Sequence, residues 1–183
     1  MGRRPIQGPG VSGLSKLGGA ALTLAAVIVV ADQTTKAWIL DVVRLQEGES
    51  LPILGPLRLT GVWNHGVSFG LFQANHDLIR WLLVAFSVIV SLVLAAWVRD
   101  TRRTLFAVAV GLVVGGAVGN VIDRIRFGAV ADFIDASWLH FPWVFNVADS
   151  AISIGIALLL LDMLRQESED RAAKAAAPPT DAA

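Results

Sequence analysis

Two aspartates lie within and just after one short connection of an otherwise apolar chain, and their chemistry depends on whether they meet. Asp132 lies within the connection, and Asp149 lies in the hydrophobic run that follows it. Two carboxyl groups held together cannot both ionise at low cost, so they share a proton and titrate as a pair. The ionised member then acts as base for a water while the other polarises a carbonyl, which indicates amide hydrolysis. A solvated Asp132 and an Asp149 favoured by a helix dipole are the structural alternative.

Other polar residues interrupt the hydrophobic runs next to these aspartates. Asn120, Asp123 and Arg124 end one run, and Asn146 begins the next. A carboxylate at the centre of a membrane helix costs about 2.5–3.5 kcal/mol on insertion scales. Several polar groups at one depth therefore indicate a functional site.

Two further pairs are weaker signals when each is taken alone. Asp32 and Lys36 are four residues apart, so they can pair on one helix face. A purely structural ion pair near an interface would have the same spacing. Asn64 and Gly66 follow a predicted strand, where they could simply form a turn.

The composition is that of a membrane protein. Of the 183 residues, 55% are hydrophobic and 16% are charged, and the mean hydropathy is +0.63, which is too apolar for an ordinary soluble domain. The formal net charge is +0, so no basic field indicates nucleic acid as a partner. The chain has no cysteine and its three histidines lack ligand spacing, so the sequence predicts neither a metal nor another cofactor.

Four stretches are long and apolar enough to cross a bilayer, which needs about 20 residues per helix. They are residues 17–40, 78–98, 105–122 and 144–164. The sequence thus predicts an all-α polytopic protein with one four-span domain over 1–164. Residues 41–77 alternate apolar residues with turn formers and predict a small extracytoplasmic β element. Residues 126–143 predict an interfacial segment, and the polar tail 165–183 predicts a disordered cytoplasmic end.

The distribution of basic residues predicts an orientation. The amino-terminal arm, the connection between the second and third spans, and the tail each carry three Lys or Arg residues. The positive-inside rule therefore places both termini in the cytoplasm. The polar clusters then fall in one layer near the outer face, and Gly111, Gly115 and Gly119 form a small-residue ridge that favours close helix packing.

The combination of motifs resembles the bacterial lipoprotein signal peptidases, also called signal peptidase II, over about residues 32–162. Five segments in the same order on a four-span chain make the resemblance specific. The matching segments are Asp32-Gln-Thr-Thr-Lys36, Asn64-His-Gly66-Val-Ser-Phe69, Gly115-Gly-Ala-Val-Gly-Asn120-Val-Ile-Asp123-Arg124, Phe127-Gly-Ala-Val-Ala-Asp132-Phe133 and Phe145-Asn146-Val-Ala148-Asp149-Ser150.

This resemblance implies an intramembrane aspartyl endopeptidase that cleaves prolipoproteins immediately before a diacylglyceryl-modified cysteine. It implies that Asp132 and Asp149 are the catalytic pair that activates a water. Further residues are implied to bind substrate or support the site, namely Asp32, Lys36, Asn64, Gly66, Asn120, Asp123, Arg124, Asn146 and Ala148.

The resemblance also implies partners and a location. The partners are the diacylglyceryl-modified prolipoprotein substrates and membrane lipids, with no nucleic acid and no obligatory protein partner. The location is the bacterial cytoplasmic (inner) membrane, with the active site near its outer face.

Three other functions fit parts of the pattern. A proton- or ion-coupled carrier also uses intramembrane carboxylates, although four spans without an inverted repeat argue against it. A noncatalytic assembly subunit would use the polar residues only to hold helices together. A serine–lysine peptidase is disfavoured because Lys36 is spaced to pair with Asp32 and no serine has an equivalent base near it.

Overall fold

The computed structural model describes residues 13–55, 57–66, 76–137 and 143–176. Four long helices and a small antiparallel sheet account for most of these residues. The helices are α1 (Lys16–Ala37), α2 (His76–Val98), α3 (Thr104–Phe127) and α4 (Val147–Ala176), and a short π-helix (Trp38–Val43) continues α1. The strands are β1 (Ser50–Leu54), β2 (Leu57–Asn64), β3 (Val130–Asp135) and β4 (Val144–Phe145).

The prediction of a four-span membrane fold is confirmed. Each helix is long and apolar enough to cross a bilayer, and α1 with its π-helix forms one span of 28 residues. The third helix runs past the predicted end at residue 122 as far as Phe127. It ends there because Gly128 adopts a left-handed conformation, with φ of 80°, and caps the helix.

The central helix is α3, most of which is buried against α1 and α4. Its glycines permit this contact. A Cβ added at Gly115 would lie 2.7 Å from the carbonyl oxygen of Ala25 on α1, and one at Gly119 would lie 2.6 Å from a carboxylate oxygen of Asp32. Gly116 meets the backbone of Ala148 on α4 in the same way. The glycines of α3, Gly116 as well as the predicted ridge, therefore bring three helix backbones together.

The sheet is larger than the sequence predicts. The predicted β element at 41–77 supplies β1 and β2, and the segment expected to be only interfacial, 126–143, supplies β3. Strand β4 is formed by the first two residues of the predicted fourth span, 144–164. All four strands form one antiparallel sheet in the order β1-β2-β3-β4. Residues 67–75 of the predicted β element and 138–142 of the interfacial segment lie outside the described residues.

The sheet packs on one end of the bundle, which we call the sheet end. Ile39 of the π-helix and Leu45 contact Leu59 of β2 and Phe133 of β3 in a small buried cluster. This cluster fixes the height of the sheet relative to α1.

The prediction of disorder from residue 165 is wrong as far as Ala176, because α4 continues to that residue. The polar extension has strong helix formers, including an Ala-rich stretch, and Arg171 pairs with Glu167 one turn earlier. Near the base of this extension, Arg103 forms an ion pair with the buried Asp162 and joins the α2–α3 connection to α4. Residues 177–183 lie outside the described residues.

Candidate active site

A cavity of about 410 Å³ at the sheet end is lined by both Asp132 and Asp149. The aspartates reach it from different elements, Asp132 from the sheet and Asp149 from the first turn of α4. The structure therefore brings together the two carboxyl groups that the sequence singled out. The other lining residues are Asn64, Trp143, Val144, Phe145, Ser150, Ser153 and Ile154.

The carboxyl group of Asp132 is buried and held by two amides. The residue is 3% exposed. Its Oδ1 accepts a hydrogen bond from Nδ2 of Asn146 at 2.7 Å, and its Oδ2 accepts one from Nδ2 of Asn64 at 3.0 Å. Burial raises the pKa of Asp132 from 3.8 to about 7, and the charge of Asp149 adds to the rise. The hydrogen bonds oppose this effect without cancelling it.

The carboxylate of Asp149 belongs to a capping box at the start of α4. The backbone N–H of Asp149 donates to Oδ1 of Asn146 at 2.9 Å, and Oδ2 of Asp149 accepts from the backbone N–H of Asn146 at 3.2 Å. This reciprocal pair satisfies two backbone donors that the helix leaves free. It also places a negative charge where the helix dipole favours it. Asn146 contacts both carboxyl groups and fixes their relative position.

Asn120 links Asp149 to a buried lysine. Nζ of Lys36 donates to Oδ1 of Asn120 at 3.3 Å, and Nδ2 of Asn120 donates to Oδ1 of Asp149 at 2.8 Å. An ammonium group can only donate hydrogen bonds, so the oxygen of the Asn120 amide, and not its NH₂ group, must face Lys36. Lys36 therefore directs the NH₂ group of Asn120 toward Asp149.

Lys36 forms the centre of a buried ionic cluster between α1 and α3. Its Nζ lies 2.8 Å from carboxylate oxygens of both Asp32 and Asp123, and the three side chains are at most 3% exposed. Nε2 of Gln33 donates to Asp123 at 2.9 Å and to Asp32 at 3.2 Å. Gln33 was not among the predicted site residues, although its amide between two of them in the sequence, Asp32 and Lys36, was the available signal.

The remaining predicted site residues act largely through their backbone. The N–H of Ala148 donates to Oδ1 of Asp32 at 3.0 Å. The N–H of Gly66, whose φ is 85°, donates to Oδ1 of Asn64 at 2.8 Å and so turns the Asn64 NH₂ group toward Asp132. Nη1 of Arg124 donates to the carbonyl oxygen of Asn120 at 3.3 Å. The contacts of Gly66 and Arg124 support Asn64 and Asn120, which donate to the two aspartates. The contact of Ala148 supports Asp32, which holds Lys36.

The described part of the chain offers no candidate metal site, because no group of three or more His, Asp or Glu side chains there could hold an ion. The arrangement offers two carboxyl groups facing one cavity, with amide donors on their oxygens. It fits activation of a water by general acid–base chemistry.

The chain is similar to proteins of one family. The family model described as signal peptidase (SPase) II matches residues 24–165. A lipoprotein signal peptidase of Caulobacter vibrioides is 53% identical over 155 residues, which cover 84% of this chain and 92% of the relative. A lipoprotein signal peptidase of a Methylobacterium species is 41% identical over 153 residues, which cover 83% of this chain and 93% of the relative.

Two solved structures share the fold. Both are bacterial membrane enzymes whose structures were determined by the in meso method, one at 2.3 Å and one at 1.9 Å resolution. The first has a TM-score of 0.73 and 26% identity and covers 86% of this chain and 95% of its own. The second has a TM-score of 0.70 and 28% identity and covers 83% of this chain and 96% of its own.

Replacement of Lys36 by methionine is expected to destabilise the fold by about 3–5 kcal/mol, the cost of leaving buried charges without their partner. Asp32 and Asp123 would both lose the ammonium group that lies between them. Unfolding in mixed detergent micelles measures the effect. The matched control is Lys16→Met, because Lys16 is exposed at the start of the same helix and should change stability by less than about 0.5 kcal/mol. Equal stabilities for the two variants would contradict a central role for Lys36.

Asp132 should make folding stability depend on pH. Between about pH 4 and pH 7 the folded chain keeps a proton on Asp132 that the unfolded chain releases, because the folded pKa is raised from 3.8 to about 7. The stabilisation from Asp132 is complete below pH 4 and is lost as the pH rises through about 7. Thermal unfolding of the wild type and of Asp132→Asn tests this, since their stability difference should shift in that window. A pH-independent difference would refute the assignment.

Proposed function

We infer that the chain, which belongs to the signal peptidase II family, removes signal peptides from prolipoproteins in the bacterial inner membrane. The observation that carries the mechanism is the shared contact of Asn146 with Asp132 and Asp149 at one cavity. It supports an aspartic endopeptidase in which these two residues form the catalytic pair. No cofactor takes part in the proposed reaction.

The environments of the two aspartates favour different roles. Asp149 is half-buried, lies at a helix N-terminus and accepts hydrogen bonds from Asn120 and from the Asn146 backbone, so its oxygens already act as hydrogen-bond acceptors, as a general base requires. Asp132 is buried in the sheet, and the raised pKa of its carboxyl keeps a proton on it up to about pH 7. We therefore assign Asp149 as the base and Asp132 as the acid.

Hydrolysis then follows with every proton accounted for. Asp149 takes a proton from a water as the water oxygen bonds to the scissile carbonyl carbon, while Asp132 gives its proton to the carbonyl oxygen. The resulting tetrahedral diol collapses when the leaving nitrogen accepts the proton held by Asp149. One hydroxyl of the diol returns a proton to Asp132 as the new carboxylic acid forms. The C–N bond breaks, and the pair regains its starting state.

The amides of the site serve the carboxyl groups in this proposal. Asn64, Asn120 and Asn146 each donate to one of the two aspartates, so they fix the catalytic oxygens and leave substrate binding to other groups. Preorganised donors of this kind avoid reorganisation during the reaction. Arg124 braces Asn120 through its carbonyl oxygen.

The substrate backbone is proposed to lie beside β4, the edge of the sheet that lines the cavity. Val144 and Phe145 line the same cavity as the aspartates. The β1 edge lies two strands away from Asp132 in the sheet order. An extended peptide beside β4 would place its scissile carbonyl within reach of both carboxyl groups.

The substrate is proposed to carry a diacylglyceryl cysteine immediately after the scissile bond. The cavity continues along α4 past Ser153 to Ile154, whose side chain is 54% exposed on the membrane-spanning part of the helix. Acyl chains of a lipid-anchored substrate can therefore remain in the bilayer while the peptide enters from the side. The membrane thus keeps the anchored substrate close to the site, whereas a soluble enzyme must achieve this through binding contacts alone. This arrangement needs the sheet end to face the outer side, with both termini in the cytoplasm.

Conversion of either catalytic aspartate to asparagine is expected to reduce cleavage of a lipidated precursor by about 10²–10⁴-fold or more, the range that general acid–base catalysis contributes. Purified Asp132→Asn and Asp149→Asn proteins in lipid vesicles test this, with folding checked by thermal unfolding. The matched control is Asp135→Asn, which alters the same strand outside the cavity lining and should keep near wild-type turnover. Substantial turnover by either folded catalytic variant would reject the pair.

The substrate proposal predicts a preference for the modified precursor. Wild-type protein incubated with a diacylglyceryl-modified precursor and with its unmodified twin should release product from the first and little from the second. Equal cleavage of both precursors would support peptidase activity but contradict a requirement for the lipid modification. If the wild type cuts neither precursor, the noncatalytic assembly subunit becomes the better hypothesis.

A further inference from the structure

The β1–β2 hairpin has an apolar side that extends beyond the helical bundle. Leu51 of β1 lies opposite Leu59 of β2, and a bulge places Ile53 and Leu54 together opposite Leu57. Alternation along β2 puts Leu57 on the same side as Leu59. One side of the hairpin therefore carries five large aliphatic side chains, while residues 51–57 contain no charged residue.

The opposite side of the hairpin is polar. Nε of Arg58 donates to Oγ of Ser50 at 2.8 Å, and the hydroxyl groups of Ser50 and Thr60 are 2.9 Å apart. Thr60 donates to a carboxylate oxygen of Asp135 on β3 at 2.6 Å. This hydrogen bond lowers the pKa of Asp135, so the end of the network carries a negative charge. The hairpin is thus amphipathic across its two faces.

The apolar side begins in contact with the bundle and then leaves it. Leu59 is 9% exposed and packs with Ile39 at the end of the first span. Toward the tip of the hairpin the exposure rises, to 59% for Ile53 and 77% for Leu54. The side that rests on the end of a membrane-spanning helix faces toward the membrane. Its exposed outer part therefore overhangs the contact of Leu59 with the end of the first span.

We propose that the overhanging side of the β1–β2 hairpin, formed by Leu51, Ile53, Leu54 and Leu57, inserts into the lipid leaflet at the sheet end. A bilayer is the occupant that the geometry favours because this side continues an apolar surface that already packs on a membrane span. The polar network on the other side then lies toward water. Insertion holds the sheet, and with it Asn64 and Asp132, at a fixed depth relative to a lipid-borne substrate.

Single-cysteine spin labelling tests the insertion without interference, because the chain has no native cysteine. Ile53→Cys and Pro52→Cys are labelled with a nitroxide and reconstituted as full-length protein in phosphatidylcholine vesicles. Adjacent strand positions face opposite sides. At Ile53→Cys the label is expected to respond to dissolved oxygen and to lose its response to a water-soluble nickel chelate. At Pro52→Cys the response to the chelate should be retained.

The result distinguishes the bilayer from other environments. Full access of the nickel chelate to the label at Ile53→Cys would show that the tip lies in water and would overturn the proposal. Protection from both reagents, with spin–spin broadening that disappears on dilution into unlabelled protein, would show a second copy of the chain and would also overturn it. If Pro52→Cys fails to fold, Glu47→Cys, at another exposed position before β1, provides the water-facing comparison.

Discussion

The buried ammonium group of Lys36 is the interaction on which the rest of the sheet end depends. It lies 2.8 Å from carboxylates on α1 and α3, in a region where an unpaired charge costs several kcal/mol. The oxygens of these carboxylates also accept hydrogen bonds from Gln33, from Ala148 at the start of α4 and from Ala131 of β3. The charges are therefore satisfied only when two helices, the start of a third and a strand are assembled together.

Hydrogen-bond donors on three amide oxygens, one of them Lys36, orient the side chains of the site. Three asparagine amides touch the aspartates, and a donor occupies the oxygen of each amide: Lys36 for Asn120, the Gly66 backbone for Asn64 and the Asp149 backbone for Asn146. Each amide must therefore turn its NH₂ group toward a carboxyl group. The difference between the two aspartates then arises from their elements, since one lies at a helix N-terminus and the other in a buried strand.

Much of this arrangement was predictable from local patterns, and the rest was not. Long apolar runs determine the spans, and the four-residue spacing of Asp32 and Lys36 predicts their pairing. The β3 strand was missed because nearly all its residues are buried, so the polar–apolar alternation of a half-exposed strand is absent. Its partner strand is also some 70 residues earlier in the chain, a distance that no local pattern reports.

Helix packing and the polar site both require glycine on the same face of α3. A methyl group at Gly119 would lie 2.6 Å from the Asp32 oxygen that also holds Lys36. Packing between membrane helices favours small residues in general, because lipid gives no hydrophobic driving force for association. At Gly119, however, the atom that occupies the space belongs to a carboxylate, and at Gly115 it is a backbone carbonyl oxygen. At Gly115 the missing side chain thus lets a helix backbone pack closely, whereas at Gly119 it leaves room for the Asp32 carboxylate of the ionic cluster. A larger side chain at Gly119 would displace that carboxylate.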